Sequence, residues 1–167
     1  INISLDTLRP DRFRRITRFG EIADVRRGIT ASLEAGLDPV KLNVVVMRGV
    51  NDDEVADLAA LTRSLPVEVR FIELMPIGEY FSREKLVPAA EILASIERLG
   101  TLSPAVSGAG CGPARTFRLA GARGKIGIIA AVTEAFCASC NRLRLTATGR
   151  LRPCLDDEQV VDLKPAL

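Results

Sequence analysis

Cys137, Cys140 and Cys154 stand in a stretch where two cysteines are separated by two residues and a third follows after a basic segment. A close pair puts two sulfurs on one side of a tight turn, and a strand, turn and strand of this length return the third beside them. Thiolates that converge are soft ligands, suited to an iron–sulfur cluster or to zinc. Three thiolates on a [4Fe–4S] cluster leave one iron open, and an open iron can take substrate. Zinc would want a fourth ligand, which in a chain without histidine would be Cys111 or a carboxylate. The competing reading makes the cysteines small buried apolar side chains or a disulfide.

Between the cysteines runs Arg142-Leu143-Arg144-Leu145. In a strand this alternation puts both guanidinium groups on one face, beside the thiolates. Arginine is the side chain suited to bidentate recognition of phosphate or of a guanine edge. The alternative is a solvated amphipathic edge strand; the adjacent cysteines favour an anion or purine site.

The elements that must position these groups are legible upstream. Ile1 to Asp6 alternates apolar and polar, a strand signature that puts Asn2, Ser4 and Asp6 on one face. Pro10-Asp11 opens a short helix, and Glu21 to Ala35 carries Ile22, Val25, Ile29 and Leu33 at helical spacing before Gly36 stops it. Val40 to Met47 is the next strand, with Leu42, Val44 and Val46 opposite Lys41 and Asn43. Asn51 to Glu54 resembles a capping box ahead of a stripe of Val55, Leu58, Leu61 and Leu65. A third strand, Val67 to Met75, has Val69 and Phe71 facing away from Arg70, and Pro88 starts a helix that Gly100 ends.

Three successive strand–helix units predict a parallel sheet. Closed barrels of such units fill their interior with Val, Ile and Leu, whereas here Asn2, Ser4, Asp6, Lys41, Asn43 and Arg70 fall on the face away from the helices. A polar face of this kind holds a polar guest, or its side chains bond one another around water. Beyond Gly100 the chain turns to glycine, serine and short strands: a loop over 103–113, strands over 116–119 and 125–132, and the cysteine–arginine hairpin. Two regions are expected, 1–100 and 101–167. Cys111, in a glycine-rich loop, reads as an incidental thiol.

A chain of 167 residues with 47% apolar content can bury a sizeable core. A net charge of +2 is too small to argue for a nucleic-acid surface. No stretch approaches the length of a membrane span, no leader is visible, and the cysteines do not form a secreted disulfide framework. The expectation is a cytoplasmic protein with a small anionic ligand and no membrane or nucleic-acid partner. Starting at Ile1, without Met, it reads as a fragment.

The run FCASCNRLRLTATGRLRPCL, with KLNVVVMRGVND at 41–52, RFIELMPIGE at 70–79 and Gly112-Pro113-Ala114, closely resembles the GTP 3',8-cyclase family of molybdenum cofactor biosynthesis, which are radical S-adenosylmethionine enzymes. The resemblance covers essentially the whole chain. It implies the second half of a partial (β/α)6, TIM-like barrel followed by a small α+β cluster-binding region. By motif position, Cys137, Cys140 and Cys154 would ligate a [4Fe–4S] cluster. Lys41, Arg70, Arg142, Leu143 and Arg144 would bind GTP, while Ser4 and Met75 would line the S-adenosylmethionine site, Met75 through its backbone. The family's N-terminal CxxxCxxC motif, which carries the second [4Fe–4S] cluster, is not in this sequence. The implied chemistry is hydrogen abstraction from ribose C3' of GTP by a 5'-deoxyadenosyl radical, then attack on C8. A homodimer is compatible with the resemblance, and the fragment alone would be inactive. From other classes, a zinc- or cluster-stabilised nucleotide-binding module without chemistry, or a related radical enzyme acting on another substrate, would also fit the residues.

Overall fold

A computed structural model describes residues 1–77, 81–105, 112–140, 142–154 and 159–166. Strands β1 (Asn2–Ser4), β2 (Lys41–Val46) and β3 (Glu68–Glu73) alternate with helices α1 (Pro10–Thr17), α2 (Ile22–Glu34), α3 (Val55–Ser64) and α4 (Ala89–Glu97). Then follow β4 (Leu102–Pro104), β5 (Arg115–Leu119), β6 (Lys125–Ile129), β7 (Arg144–Leu145), β8 (Arg150–Arg152) and β9 (Val161–Asp162).

The central sheet runs β1-β2-β3-β6-β5-β4. β1, β2, β3 and β6 are parallel neighbours, and β5 and β4 add antiparallel. The protein is therefore a mixed α/β structure: the parallel pairing expected of the strand–helix units extends to β6 and gives way to antiparallel pairing only at β5 and β4. β4 is a correction: its Leu102 pairs with Leu119 where the sequence reads as the edge of a loop. Because β6 hydrogen-bonds β3, the six-stranded sheet continues past Gly100. Among the described residues no helix is long and apolar enough to cross a membrane.

Strand alternation sorts the two faces. Leu42, Val44, Val46, Val69, Phe71, Ile126 and Ile128 are wholly buried with Leu58, Ile92 and Ile96 of the helices, forming one core. Lys41, Asn43 and Val45 on the other face of β2 are half-buried. Chain reversals follow glycine as read: Gly36 (φ 70°) and Gly100 (φ 146°) adopt the positive φ that a side chain disfavours.

The capping box at Asn51–Glu54 is not formed. A 3₁₀ turn, Asp52–Glu54, precedes α3, and neither element has a side-chain cap. These polar groups tie strand ends together instead. The Asn51 side chain accepts from the Met47 amide and donates to the carbonyls of Asp6 and Val45. Buried Glu54 accepts from the Thr7 hydroxyl, the Leu8 amide and Arg12. Long-range partners outcompeted the local cap because both side chains are buried and must be satisfied.

Candidate functional site

Two arrangements gather the residues of interest. The first is the polar face of the six-stranded sheet. Pairing puts Ser4, Asn43, Arg70 and Gly127 in one cross-strand row and Asn2, Lys41, Glu68 and Lys125 in the next. Ser4, Lys41 and Arg70 thus share one face, as the alternation predicts. Ser4 is exposed, Lys41 half-buried and Arg70 buried.

Arg70 Nε donates to Glu68 Oε1 at 2.6 Å, and the two side chains are only 10% and 8% exposed. The pair occupies space that glycine leaves: a Cβ on Gly127 would lie 2.9 Å from Arg70 Cγ and 3.2 Å from Glu68 Oε1. Such a pair adds little net stability over apolar residues, yet each member constrains where the other sits. Met75 lies beyond the end of β3, and its carbonyl accepts from the Ile77 amide at 2.7 Å.

The second arrangement is the cysteine–arginine hairpin. Cys137–Ser139 forms a 3₁₀ turn closed by the Cys140 amide donating to the Cys137 carbonyl at 3.2 Å. Cys137, Cys140 and Cys154 are exposed and in no disulfide among the described residues, against the reading as buried apolar side chains or a disulfide. The Arg142 amide and then its guanidinium hold the Cys140 thiol below the usual thiol range, with a further pull from Arg144. Thiolate is the form that ligates a metal. Arg142 also stacks over the Phe136 ring, 5.4 Å from its centroid.

β7 and β8 pair antiparallel, Arg144 opposite Arg152 and Leu145 opposite Leu151, around a turn with Gly149 at φ 77°. The β7 strand starts at Arg144, so Arg142 precedes it, drawn to Phe136 and Cys140 instead of continuing one strand face. The usual order of exposure is inverted: Leu143 and Leu145 are 63% and 67% exposed while Arg144 and Arg152 are half-buried. Two half-buried guanidiniums are thus set opposite each other across the strand pair. β9 pairs antiparallel with β8, Arg150 opposite Asp162 and Leu151 opposite Val161.

Among the described residues no three His, Cys, Asp or Glu side chains are gathered to hold a metal ion. The donor set nevertheless fits a soft metal or cluster: free thiols, one favouring thiolate, in a cationic setting. Cys111 lies outside the described residues. The two sheets share no strand pairing among the described residues, so the hairpin residues and the row of Arg70 belong to separate arrangements.

Glu68 and Glu73 were missed in the sequence. Glu73 is fully buried at the end of β3, where it accepts from the amides of Ala89 (2.8 Å), Val132 (2.7 Å) and Thr133 (2.8 Å) and from the Thr133 hydroxyl. It joins β3 to the first turn of α4 and to the segment leading toward Cys137. The available signal was the alternation Val69, Phe71, Glu73, an acid in line with the core positions.

Fold and hairpin together define a mixed α/β protein in which a thiol- and arginine-bearing segment follows a sheet with a polar face. Comparison with known proteins agrees: the family described as Molybdenum Cofactor Synthesis C matches residues 67–167, and the Radical SAM superfamily matches residues 1–62. The chain belongs to the Molybdenum Cofactor Synthesis C family. It is 57% identical over 173 residues to the GTP 3',8-cyclase of Heliobacterium modesticaldum, covering 100% of this chain and 52% of that protein. The GTP 3',8-cyclases of Pelotomaculum thermopropionicum and Moorella thermoacetica are each 54% identical, over 170 and 168 residues, again covering 100% of this chain and 52% of theirs. The chain therefore spans about half the length of the curated relatives it matches.

Proposed function

We propose that this chain is the substrate-binding part of a GTP 3',8-cyclase acting in molybdenum cofactor biosynthesis. Residues 1–100 would contribute part of an open (β/α)6 barrel, and 101–167 the cluster-bearing region. Cys137, Cys140 and Cys154 would hold a [4Fe–4S] cluster, with Arg142, Leu143 and Arg144 lying along GTP. Lys41 and Arg70 would reach the nucleotide from the polar sheet face, and Ser4 and the Met75 backbone would line the S-adenosylmethionine site. The observation that carries this reading is that the family match over 67–167 includes three exposed cysteines and the arginines interleaved with them.

With both groups bound, the cluster would offer an open iron to GTP and S-adenosylmethionine would supply the hydrogen-abstracting radical. This chain's own part is placement. Arg70, held by Glu68, presents a fixed cation on the sheet face, and Arg144 opposite Arg152 offers planar donors for a polyanion. Alone, without the CxxxCxxC motif, the chain is proposed to bind but not to turn over.

The test is anaerobic reconstitution of the chain with iron and sulfide. The proposal expects a brown protein with iron and acid-labile sulfide, lost in Cys137→Ala, Cys140→Ala and Cys154→Ala and kept in Cys111→Ala. One colourless zinc per chain with no iron uptake would move the assignment to a zinc-stabilised nucleotide-binding module, the second reading that exposed free thiols support.

A further inference from the structure

Glu73 stands in line with the core positions Val69 and Phe71 at the end of β3, and it is 1% exposed. A carboxylate so placed is costly unless its oxygens are hydrogen-bonded. Oε1 accepts from the Ala89 amide and the Thr133 hydroxyl, and Oε2 accepts from the amides of Val132 and Thr133. All four donors are neutral, and three of them belong to Val132 and Thr133, far from Glu73 in the chain.

Between the end of β6 and the 3₁₀ turn at Cys137 the chain forms no strand or helix, so its amides need partners that secondary structure does not supply. Glu73 is that partner for two of them. From Thr133 to Cys137 the chain reaches at most about 14 Å even when fully extended. Fixing Thr133 therefore limits where the first thiol can lie. A second polar tie on this segment is the Arg115–Glu134 pair at 3.0 Å, whose side chains are 50% and 48% exposed. Exposed pairs hold weakly, which leaves the buried carboxylate as the stronger tie.

β3 also carries Arg70, before Glu73 and on the opposite, polar face, and it runs on into Met75. Glu73 itself faces the core. It joins the strand that bears Arg70 to the root of the hairpin that bears Arg142 and Arg144.

We propose that Glu73 is a positioning residue: by clasping Val132 and Thr133 it sets the cysteine–arginine hairpin at one place against β3, so that Arg142 and Arg144 from the hairpin and Arg70 from the sheet meet one nucleotide. The inference rests on the cyclase reading and adds to it the residue that relates its two arrangements.

Hydrogen exchange of the metal-free chain reads the clasp directly. Glu73→Ala should speed exchange over 131–140 while the amides of β2 and β6 stay protected. Glu73→Gln should rescue most of this, because its one oxygen can face the two amides while the Thr133 hydroxyl turns to accept from the new NH2 group, giving up only the Ala89 amide. After anaerobic reconstitution, Glu73→Ala should take up as much iron as the unmodified chain, since Cys137, Cys140 and Cys154 all lie on the hairpin side. It should bind GTP about tenfold more weakly, because one half of the site is displaced from the other. Leu58→Ala, which opens a cavity in the core at α3, is the control: it should unfold earlier in urea with GTP affinity unchanged. Exchange over 131–140 equal in Glu73→Ala and the unmodified chain, or equal GTP affinity, overturns the proposal. Failure of the unmodified chain to take up iron or bind GTP overturns the cyclase reading and the nucleotide with it, whereas exchange in metal-free Glu73→Ala still decides the clasp.

Discussion

The guanidinium of Arg70 and the carboxylate of Glu68 lie on one strand two residues apart, bonded at 2.6 Å and almost wholly buried on the polar sheet face. Removing Glu68 takes a short charge-assisted bond from a buried guanidinium. Glu68→Ala should therefore destabilise the chain by about 1–3 kcal/mol, whereas Glu68→Gln, which keeps an acceptor, should cost less. Gly127→Ala should act through the same pair, because its Cβ would press on Arg70 Cγ and Glu68 Oε1. Urea unfolding midpoints check this. Equal midpoints for Glu68→Ala and the unmodified chain would mean that the pair is solvated.

Glu73 provides a pH signature. Burial pushes its carboxyl up, but the Thr133 hydroxyl and the amides of Thr133, Val132 and Ala89 outweigh it, and the net direction is below the ordinary 4.5. A carboxyl with a depressed folded pKa contributes stability that is fully present above the unfolded value. That stability is lost as pH falls from about 4.5 through the folded value. Glu73→Gln should lower stability at neutral pH by about 1–3 kcal/mol and flatten its decline in acid. Asp6 runs the other way, since burial raises its pKa above 3.8 despite the Val45 amide. Its contribution is most favourable in acid and declines as pH rises through that range, so Asp6→Asn is the control of opposite sign. Parallel pH profiles for Glu73→Gln and the unmodified chain would exclude the linkage.

Cys140 differs from its neighbours in a way that alkylation can read. With its thiol held below the usual range by Arg142, it should react with iodoacetamide before Cys137 and Cys154 in the metal-free chain at neutral pH. Arg142→Gln should shrink this lead without abolishing it, because the largest cause is the Arg142 amide, which the substitution keeps. Mass-spectrometric timing of each adduct decides; identical rates at all three thiols would contradict it.

How much was legible in advance depended on whether a residue's partners were near in sequence. The alternations in Lys41–Val46 and Glu68–Glu73 named the core face and the polar face, because strand periodicity is local. Caps were not legible: Asn51 and Glu54 had the spacing of a capping box, but the partners of Glu54, namely Thr7, Leu8 and Arg12, lie some forty residues upstream, and Asn51 binds Asp6 there besides Val45 and Met47 nearby. The cysteines drew notice by type and spacing alone, which are local in the chain. A cavity lined by Arg15, Ile16, Met47, Val50 and Lys85 could not be read from the sequence, because these residues meet only once α1 packs beside the segment after β2 and the turn at 83–85. β4 escaped notice for a similar reason, being short and specified by its pairing with β5.

The inverted exposure on the hairpin, leucines out and arginines half-buried, gives the last prediction. Arg144 sits opposite Arg152 across the strand pair. A bound polyphosphate would accept charge-assisted hydrogen bonds from Arg144 worth about 1.5–3 kcal/mol, roughly ten- to a hundredfold in affinity. Lysine in place of Arg144 keeps the charge but lacks the planar fork, so Arg144→Lys should bind GTP nearly as poorly as Arg144→Ala. Arg142→Ala should weaken GTP as well and also release Phe136 and Cys140 from their contacts. In a protein that carries the CxxxCxxC motif as well, Arg144→Lys should retain iron and still cleave S-adenosylmethionine while losing cyclised nucleotide. Titration of GTP into the reconstituted variants separates the cases: unchanged GTP affinity in both Arg144→Ala and Arg142→Ala would return the pair to a solvated strand edge.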